Sequence, residues 1–390
     1  MNEAFAPIVG QENIKKMEEG WLITPPNQDS MAEVVKFCHG RQWRIGIRGA
    51  GSKFDWGHPL KNVDVILSTA KLDRLIDHAV GDLTVTIEAG FKFEALQNLL
   101  AQANQCLGID PPYPDRATLG GIVATGDSGS LRHRYNSVRD QILGIKFIRS
   151  DGAIAKAGGR VVKNVAGYDL MKLFTGSYGT LGIITEVTFR LYPLLTPRSL
   201  WLCQGGGEQI IALRSLILHS SLTPVILDLY SPYLLQSLGY KSNWGIGVEF
   251  AGISTEFQGK MLQDMANNLG ISCQQMPADF NRSVGKIFEN YGRCKLGIPS
   301  SQALAIFSPI SDQYPLQIHL GSGLGSILME DDQQLNTYRE KLKSLGGFLT
   351  ILSSNHPDRF ALNSATKELM LKIKQEFDPL NLLNPDRYGI

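Results

Sequence analysis

Glycine and small residues arrive in four bursts in the first half of this 390-residue chain, and together they have the chemistry of a phosphate-binding surface. The first is RGAGS (Arg48–Ser52), after a short apolar run. The others fall between Pro111 and Pro193: PPYPDRATLGGIVATGDSG (Pro111–Gly129), GGRVVKNVAGYDL (Gly158–Leu170) and GSYGTLGIITEVTFRLYP (Gly176–Pro193). Backbone stripped of Cβ atoms lets a large ligand approach closely and turns N–H groups toward its phosphates. In RGAGS the amides can form a nest around a pyrophosphate, with a hydroxyl from Ser52 and charge from Arg48 or Lys53. The Rossmann spacing GxGxxG fails here, because Phe54 stands where the third glycine belongs and no long helix follows. The bursts imply a bound cofactor held in some other way.

Other residues that carry chemistry are more scattered. Cys38, Cys106, Cys203, Cys273 and Cys294 are odd in number and form no CxxC pair, which reads as five reduced thiols and not as a zinc site, an iron–sulfur cluster or a redox disulfide. The seven histidines (His39, His58, His78, His133, His219, His319, His356) are isolated in the sequence. His319, in LQIHLGSGLG, either faces a cofactor or fills a structural place in a strand. Arg293 and Lys295 in YGRCKLGIP either clamp a carboxylate or stand as solvated charge. Arg132, His133, Arg134 and Arg139 read as a solvated loop face, with phosphate or an acidic partner as the alternative. Lys163, Tyr168 and Asp169 in KNVAGYDL either act directly or position the neighbouring glycines.

The elements that must hold these groups alternate along the chain. Ser30–His39 reads as a helix with Ser30 as N-cap and Met31, Val34, Val35 and Cys38 on one face. Arg44–Ile47 and Val63–Leu67 read as short strands around the turn-rich RGAGSKFDWG. Leu83, Val85, Ile87 and Ala89 alternate with Thr84, Thr86 and Glu88, the period of a half-buried strand. Phe93, Leu96, Leu99, Leu100 and Ala103 then share a helical face. Leu143, Ile145 and Phe147 run into an Asp151-Gly152 turn and a hairpin to Ala153–Ala157, and Val187, Phe189 and Leu191 form a strand that stops at Pro193. Beyond Pro193 and Pro197, strand-like segments at 225–230, 246–250, 271–275, 316–320 and 348–352 alternate with helical ones at 208–219, 257–269 and 333–345. A last helix near 364–377 leads into DPLNLLNPDRYGI, whose Leu380, Leu382 and Leu383 predict a tail that returns to pack on the first domain.

Composition bounds the rest. The length favours two domains, and 43% hydrophobic against 19% charged residues supports a sizeable core. Thirty-eight basic and thirty-seven acidic residues leave +1, no field for nucleic acid or an anionic membrane. The polar, acidic N-terminal MNEAFAPIVGQENIKKMEEG differs from a signal peptide, and no apolar run reaches the roughly 18 residues of a membrane span. The expectation is a cytoplasmic protein, with peripheral membrane attachment only through partners.

Taken together, RGAGS, DLTVTIEAG (Asp82–Gly90), ATLGGIVATGDSG (Ala117–Gly129) and GSYGTLGIITEVTFRLYP resemble, in order and spacing, the FAD-binding domain of the p-cresol methylhydroxylase and vanillyl-alcohol oxidase superfamily. The likeness covers about 25–193. Within it, RYNSVRDQILGIKFIRSDG, GGRVVKNVAGYDLMKLFTGSYGTLG and FDPLNLLNPDR resemble the FAD-binding E subunits of bacterial glycolate oxidase. The resemblance implies an α+β fold: a two-subdomain FAD-binding domain over 1–197, a smaller α+β cap with an antiparallel sheet and helices over 198–355, and a returning tail over 356–390. It implies Arg48, Gly49, Ala50, Gly51 and Ser52 at the phosphates; Thr118, Gly120, Gly121 and Thr125 at the ribityl chain and phosphates; Gly176, Gly179, Gly182 and Ile184 bordering the adenine and ring system; and Asn384 near the isoalloxazine. Ser52 stands where relatives with covalent flavin carry the linking histidine, so the FAD is expected to be non-covalent. Related hydroxy-acid dehydrogenases place a histidine pair and a Glu-His near the flavin. This chain has no Glu-His dipeptide, and no metal site or catalytic residue is assigned. Three readings stay open: an FAD-carrying subunit working beside a catalytic flavoprotein subunit and an iron–sulfur subunit of glycolate oxidase, a self-sufficient dehydrogenase of a small hydroxy acid or alcohol, and a scaffold whose flavin site no longer fills.

Overall fold

The computed structural model describes residues 2–18, 20–159, 168–290 and 292–389. They divide into two compact units, one made of 1–128, 137–194 and 362–390 and the other of 129–136 and 195–361. The chain therefore leaves the first unit twice. The long excursion begins after Leu194, between the two prolines that bracket the junction in sequence, and the short one, Gly129–Asn136, has no signature that marks it.

The first unit is built on two main sheets. Strands β1 (Ile14–Lys16), β2 (Trp21–Ile23), β3 (Ile45–Arg48) and β4 (Val65–Ser68) form a mixed sheet in the order β1-β2-β4-β3, with β4 parallel to both β2 and β3. Helix Gln28–Arg41 supplies the crossover and buries Met31, Val34, Val35 and Cys38 against Ile23, Ile45, Val65 and Leu67. Its N-cap is Asn27, whose side chain accepts from the Ser30 amide at 2.9 Å, and not Ser30 itself. Strands β5 (Leu75–Ala79), β6 (Thr84–Glu88), β8 (Ile142–Ile148), β9 (Ile154–Gly158) and β10 (Ile183–Arg190) form an antiparallel sheet in the order β5-β6-β10-β8-β9, while β7 (Gln105–Cys106) pairs with β11 (Tyr192–Pro193).

Strand β6 corrects the half-buried reading, since all five of its residues are buried. Its polar side chains are satisfied inside: Thr86 and Thr188 hydroxyls are 2.9 Å apart, and the Glu88 carboxylate accepts from the Arg74 amide and guanidinium at 2.9 and 2.8 Å. Such partners remove most of the cost of burying a polar group, which alternation alone assigns to solvent.

In the second unit, β12 (Arg198–Gly205), β13 (Ile226–Tyr230), β14 (Trp244–Ala251), β15 (Ser272–Met276), β16 (Arg293–Gly297), β17 (Leu316–His319), β18 (Leu324–Leu328) and β19 (Phe348–Ile351) make one antiparallel sheet in the order β15-β12-β14-β13-β17-β18-β16-β19. Helices Gly207–Leu218, Thr255–Asn268 and Asp332–Ser344 contribute Leu213, Leu262 and Leu342 to its main core with Leu227, Val248 and Ile318. This is the expected α+β combination of a helix-covered antiparallel sheet. The tail helix, Ser364–Phe377, belongs to the first unit.

Candidate functional site

The first unit holds a cleft that opens to solvent. Three pieces converge on it: the loop after β3, the segment leading through helix Leu119–Thr125, and the Tyr178–Ile184 stretch entering β10. Of the fourteen residues singled out in sequence, thirteen line this cleft: Arg48, Gly49, Ala50, Gly51, Ser52, Thr118, Gly120, Gly121, Thr125, Gly179, Gly182, Ile184 and Asn384. Gly176 lies instead on a neighbouring cavity of about 590 Å³, where Tyr388 donates its hydroxyl hydrogen bond to the Gly176 carbonyl.

The loop geometry explains the glycines. A Cβ on Gly49 would lie 2.1 Å from Thr118 Oγ1, and one on Gly120 would lie 2.6 Å from the Ala89 Cβ, so a side chain at either position would force its surroundings to shift. Gly51 adopts φ +86°, a left-handed region costly for other residues. The amides of Ala50, Gly51 and Ser52 donate to no acceptor among the described residues, and all three residues line the cleft.

Cations accompany these donors. Arg48 curls back toward Gly51, with its Nε buried and without a hydrogen-bond partner among the described residues. Lys53 Nζ is 3.4 Å from Thr125 Oγ1 and 5.0 Å from the Trp56 ring centroid. Unfilled amides beside an orphaned guanidinium nitrogen fit an anion with several oxygens. The donor set and the glycine cradle thus match a dinucleotide cofactor.

The tail completes the cleft. Asn384 Oδ1 accepts from the Ile47 amide at 2.7 Å and Nδ2 donates to the Tyr178 carbonyl at 2.6 Å, tying β3 to the turn before β10. Its carboxamide is therefore spent on backbone, and its place in the cleft is that of a positioning residue. Arg387, which sequence reasoning left without a role, donates from Nη1 to the carbonyls of Phe54, Trp56 and His58 at 3.1, 3.0 and 3.1 Å. Lys374 and Asp378 pin the tail from below: Nζ donates to the Thr180 and Leu383 carbonyls at 2.8 Å each, and the carboxylate accepts from the Leu382 and Leu383 amides at 3.1 and 2.7 Å. Burial lowers the Lys374 pKa from its ordinary value, opposed by Asp378. Asn384 and Arg387 were recognisable only through the closing FDPLNLLNPDR motif, because each acts on backbone more than three hundred residues earlier in the chain.

A second polar group lies in the second unit. Asp228 on β13 faces His319 on β17, with His319 Nδ1 2.7 Å from Asp228 Oδ1. The other carboxylate oxygen accepts from Ser130 Oγ at 2.5 Å and Gln317 Nε2 at 2.9 Å. Nearby His133 has its pKa lowered, mainly by burial, with the His319 and Arg134 charges adding and Asp228 opposing. His319 is thus not isolated, its partner being simply remote in sequence, and His133 is not on a solvated face, its Nδ1 being buried without a hydrogen-bond partner among the described residues. Arg293 is likewise buried, donating to Ser326 Oγ at 3.3 Å, not solvated. Of the KNVAGYDL group, Lys163 lies outside the described residues, Tyr168 is exposed, and Asp169 pairs with Lys172 at 2.6 Å. Among the described residues no group of three or more His, Cys, Asp and Glu is arranged to hold a metal.

Residues 21–158 match the FAD binding domain family. With that domain and the cradle geometry, the chain is an FAD-dependent oxidoreductase with the fold of the p-cresol methylhydroxylase-type FAD proteins. Its likeness to the glycolate oxidase subunit GlcE of Escherichia coli is 26% identity over 87% of this chain and 91% of that protein. D-lactate dehydrogenase of Archaeoglobus fulgidus is 31% identical, but over only 44% of this chain and 38% of its own length. Among solved structures, p-cresol methylhydroxylase with substrate bound superimposes with a TM-score of 0.76 at 15% identity, covering 100% of this chain and 96% of that one, a likeness of fold.

Proposed function

We propose that this chain is the FAD-carrying subunit of a glycolate oxidase-type complex, supporting oxidation of glycolate to glyoxylate beside a catalytic flavoprotein subunit and an iron–sulfur subunit. The observation that carries this reading is the nearly end-to-end match to GlcE, set against a dehydrogenase match over only 44% of the chain. FAD supplies two-electron acceptance from a hydroxy acid and release toward a one-electron carrier. The chain's own residues would hold it: Arg48, Gly49, Ala50, Gly51 and Ser52 at the pyrophosphate, Thr118, Gly120, Gly121 and Thr125 along the phosphates and ribityl chain, and Gly179, Gly182 and Ile184 against the flat ring systems. Asn384 and Arg387 fix the shape of that cleft through backbone. Ser52 offers no linking side chain, so the flavin is held non-covalently, and acid precipitation of the purified protein should release all of its colour; flavin retained on the denatured chain would contradict this.

A self-sufficient dehydrogenase of another small hydroxy acid is the second reading, and one observation favours it. A histidine oriented by a buried carboxylate, as His319 is by Asp228, is the arrangement of a proton acceptor. Expression with and without the two partner subunits separates the readings. Co-purification with restoration of glycolate-dependent electron transfer supports the complex, and substrate oxidation by this chain alone supports the dehydrogenase.

A further inference from the structure

Outside the cleft, the second unit brings together two thiols that stand 70 residues apart in the chain. Cys203 on β12 and Cys273 on β15 are direct partners in the antiparallel register. Their Sγ atoms are 3.0 Å apart, with Cys203 donating. Opposed residues of an antiparallel pair have Cα atoms about 4.5–5.5 Å apart, inside the about 4.4–6.8 Å range that a disulfide spans, so a bond can form without moving either strand.

The two thiols differ in access. Strand β15 is an edge of the eight-stranded sheet, and Cys273 is partly exposed there, whereas Cys203 is fully buried at 0% exposure. The hydrogen bond from Cys203 favours a thiolate at Cys273 and lowers its pKa against the effect of burial. The same bond, then burial, pushes the Cys203 thiol well up. Cys38 and Cys294 provide the contrast, since burial pushes each up to about 12. A partly exposed thiol in contact with a buried one has the two parts of a peroxide-responsive pair.

We propose that Cys203 and Cys273 form a redox modification site that hydroperoxides convert to a cross-strand disulfide. The Cys273 thiolate attacks one oxygen of hydrogen peroxide, the O–O bond breaks, and hydroxide leaves, taking a proton from solvent to become water; Cys273 becomes a sulfenic acid. The Cys203 sulfur then attacks the Cys273 sulfur, its thiol proton passes to the departing oxygen, and a second water leaves. Two thiols are oxidised, one peroxide is reduced to two waters, and a disulfide closes between residues 70 apart in sequence. The bond would staple the edge strand and the helix Thr255–Asn268 before it to β12.

The full chain, with its flavin, is treated with hydrogen peroxide, alkylated, digested without reductant and read by mass spectrometry. The expected result is a Cys203–Cys273 linked peptide lacking two hydrogens and reversed by dithiothreitol, with Cys38 and Cys294 alkylated only after denaturation. In C203S a sulfenic-acid trap should mark Cys273, and in C273S it should leave Cys203 unmarked. Absence of the linked peptide from the folded wild-type protein, or trapping at Cys203 in C273S, would overturn the proposal.

Discussion

At the scale of single residues, the cofactor cradle makes opposite demands on stability and binding. Gly49→Ala would place a Cβ 2.1 Å from Thr118 Oγ1, so the loop or Thr118 must move. We expect FAD affinity to fall by at least about tenfold, an amount equal to about 1.4 kcal/mol, in a titration of flavin fluorescence. Arg48→Met should weaken FAD by about 10- to 100-fold, since a charge-assisted hydrogen bond is worth about 1.5–3 kcal/mol. The same change should leave the melting temperature of the flavin-free protein unchanged or raise it, because the buried Nε makes no hydrogen bond among the described residues. A loss of stability in the flavin-free form would contradict that role for Arg48. This part of the site was legible in sequence because glycine punctuation is local: RGAGS announces its turn within five residues. The Asp228–His319 pair was not, because its members are 91 residues apart and their contact is set by the pairing of β13 with β17.

Among elements, the returning tail and the short excursion at 129–136 carry the testable consequences. Asp378→Ala would leave the Leu382 and Leu383 amides and the buried Lys374 ammonium without their carboxylate. Removing one member of a buried pair costs about 3–5 kcal/mol, so denaturant unfolding should shift by that amount and FAD should dissociate faster as Asn384 loosens. Gly129–Asn136 offers a pH test. The folded pKa of His133 is lowered from 6.5, chiefly by burial, so between that lowered value and 6.5 the unfolded chain binds more protons than the folded one. Stability should therefore fall as pH drops through 6.5 and level off below the folded value, and His133→Asn should flatten the slope. An unchanged slope in the variant would remove His133 from the account. Longer helices such as Ser364–Phe377 were read from sequence because their spacing is local, whereas short ones such as Asn2–Val9, Leu119–Thr125, Pro232–Ser237 and Phe280–Ile287 were not. Strands β12, β16 and β18 were not read, since polar and charged residues such as Arg198, Gln204, Arg293, Lys295 and Ser326 interrupt any simple period. Those residues sit in the sheet because partners elsewhere in the second unit accept them, as Glu249 does for Arg198 and Ser326 for Arg293.

For the whole molecule, fold and cofactor were readable from the glycine bursts in order, while the proposed role beside partner subunits rests on the nearly end-to-end likeness to GlcE. The second unit keeps a carboxylate-held histidine, but among the described residues it brings together no metal-binding cluster. Among the described residues no helix is long and apolar enough to cross a membrane. The most direct test of the proposed role is anaerobic addition of glycolate to the purified, FAD-loaded chain while the visible flavin absorbance is followed. The account predicts that the flavin stays oxidised until the partner subunits are added; prompt bleaching by glycolate with this chain alone would contradict it.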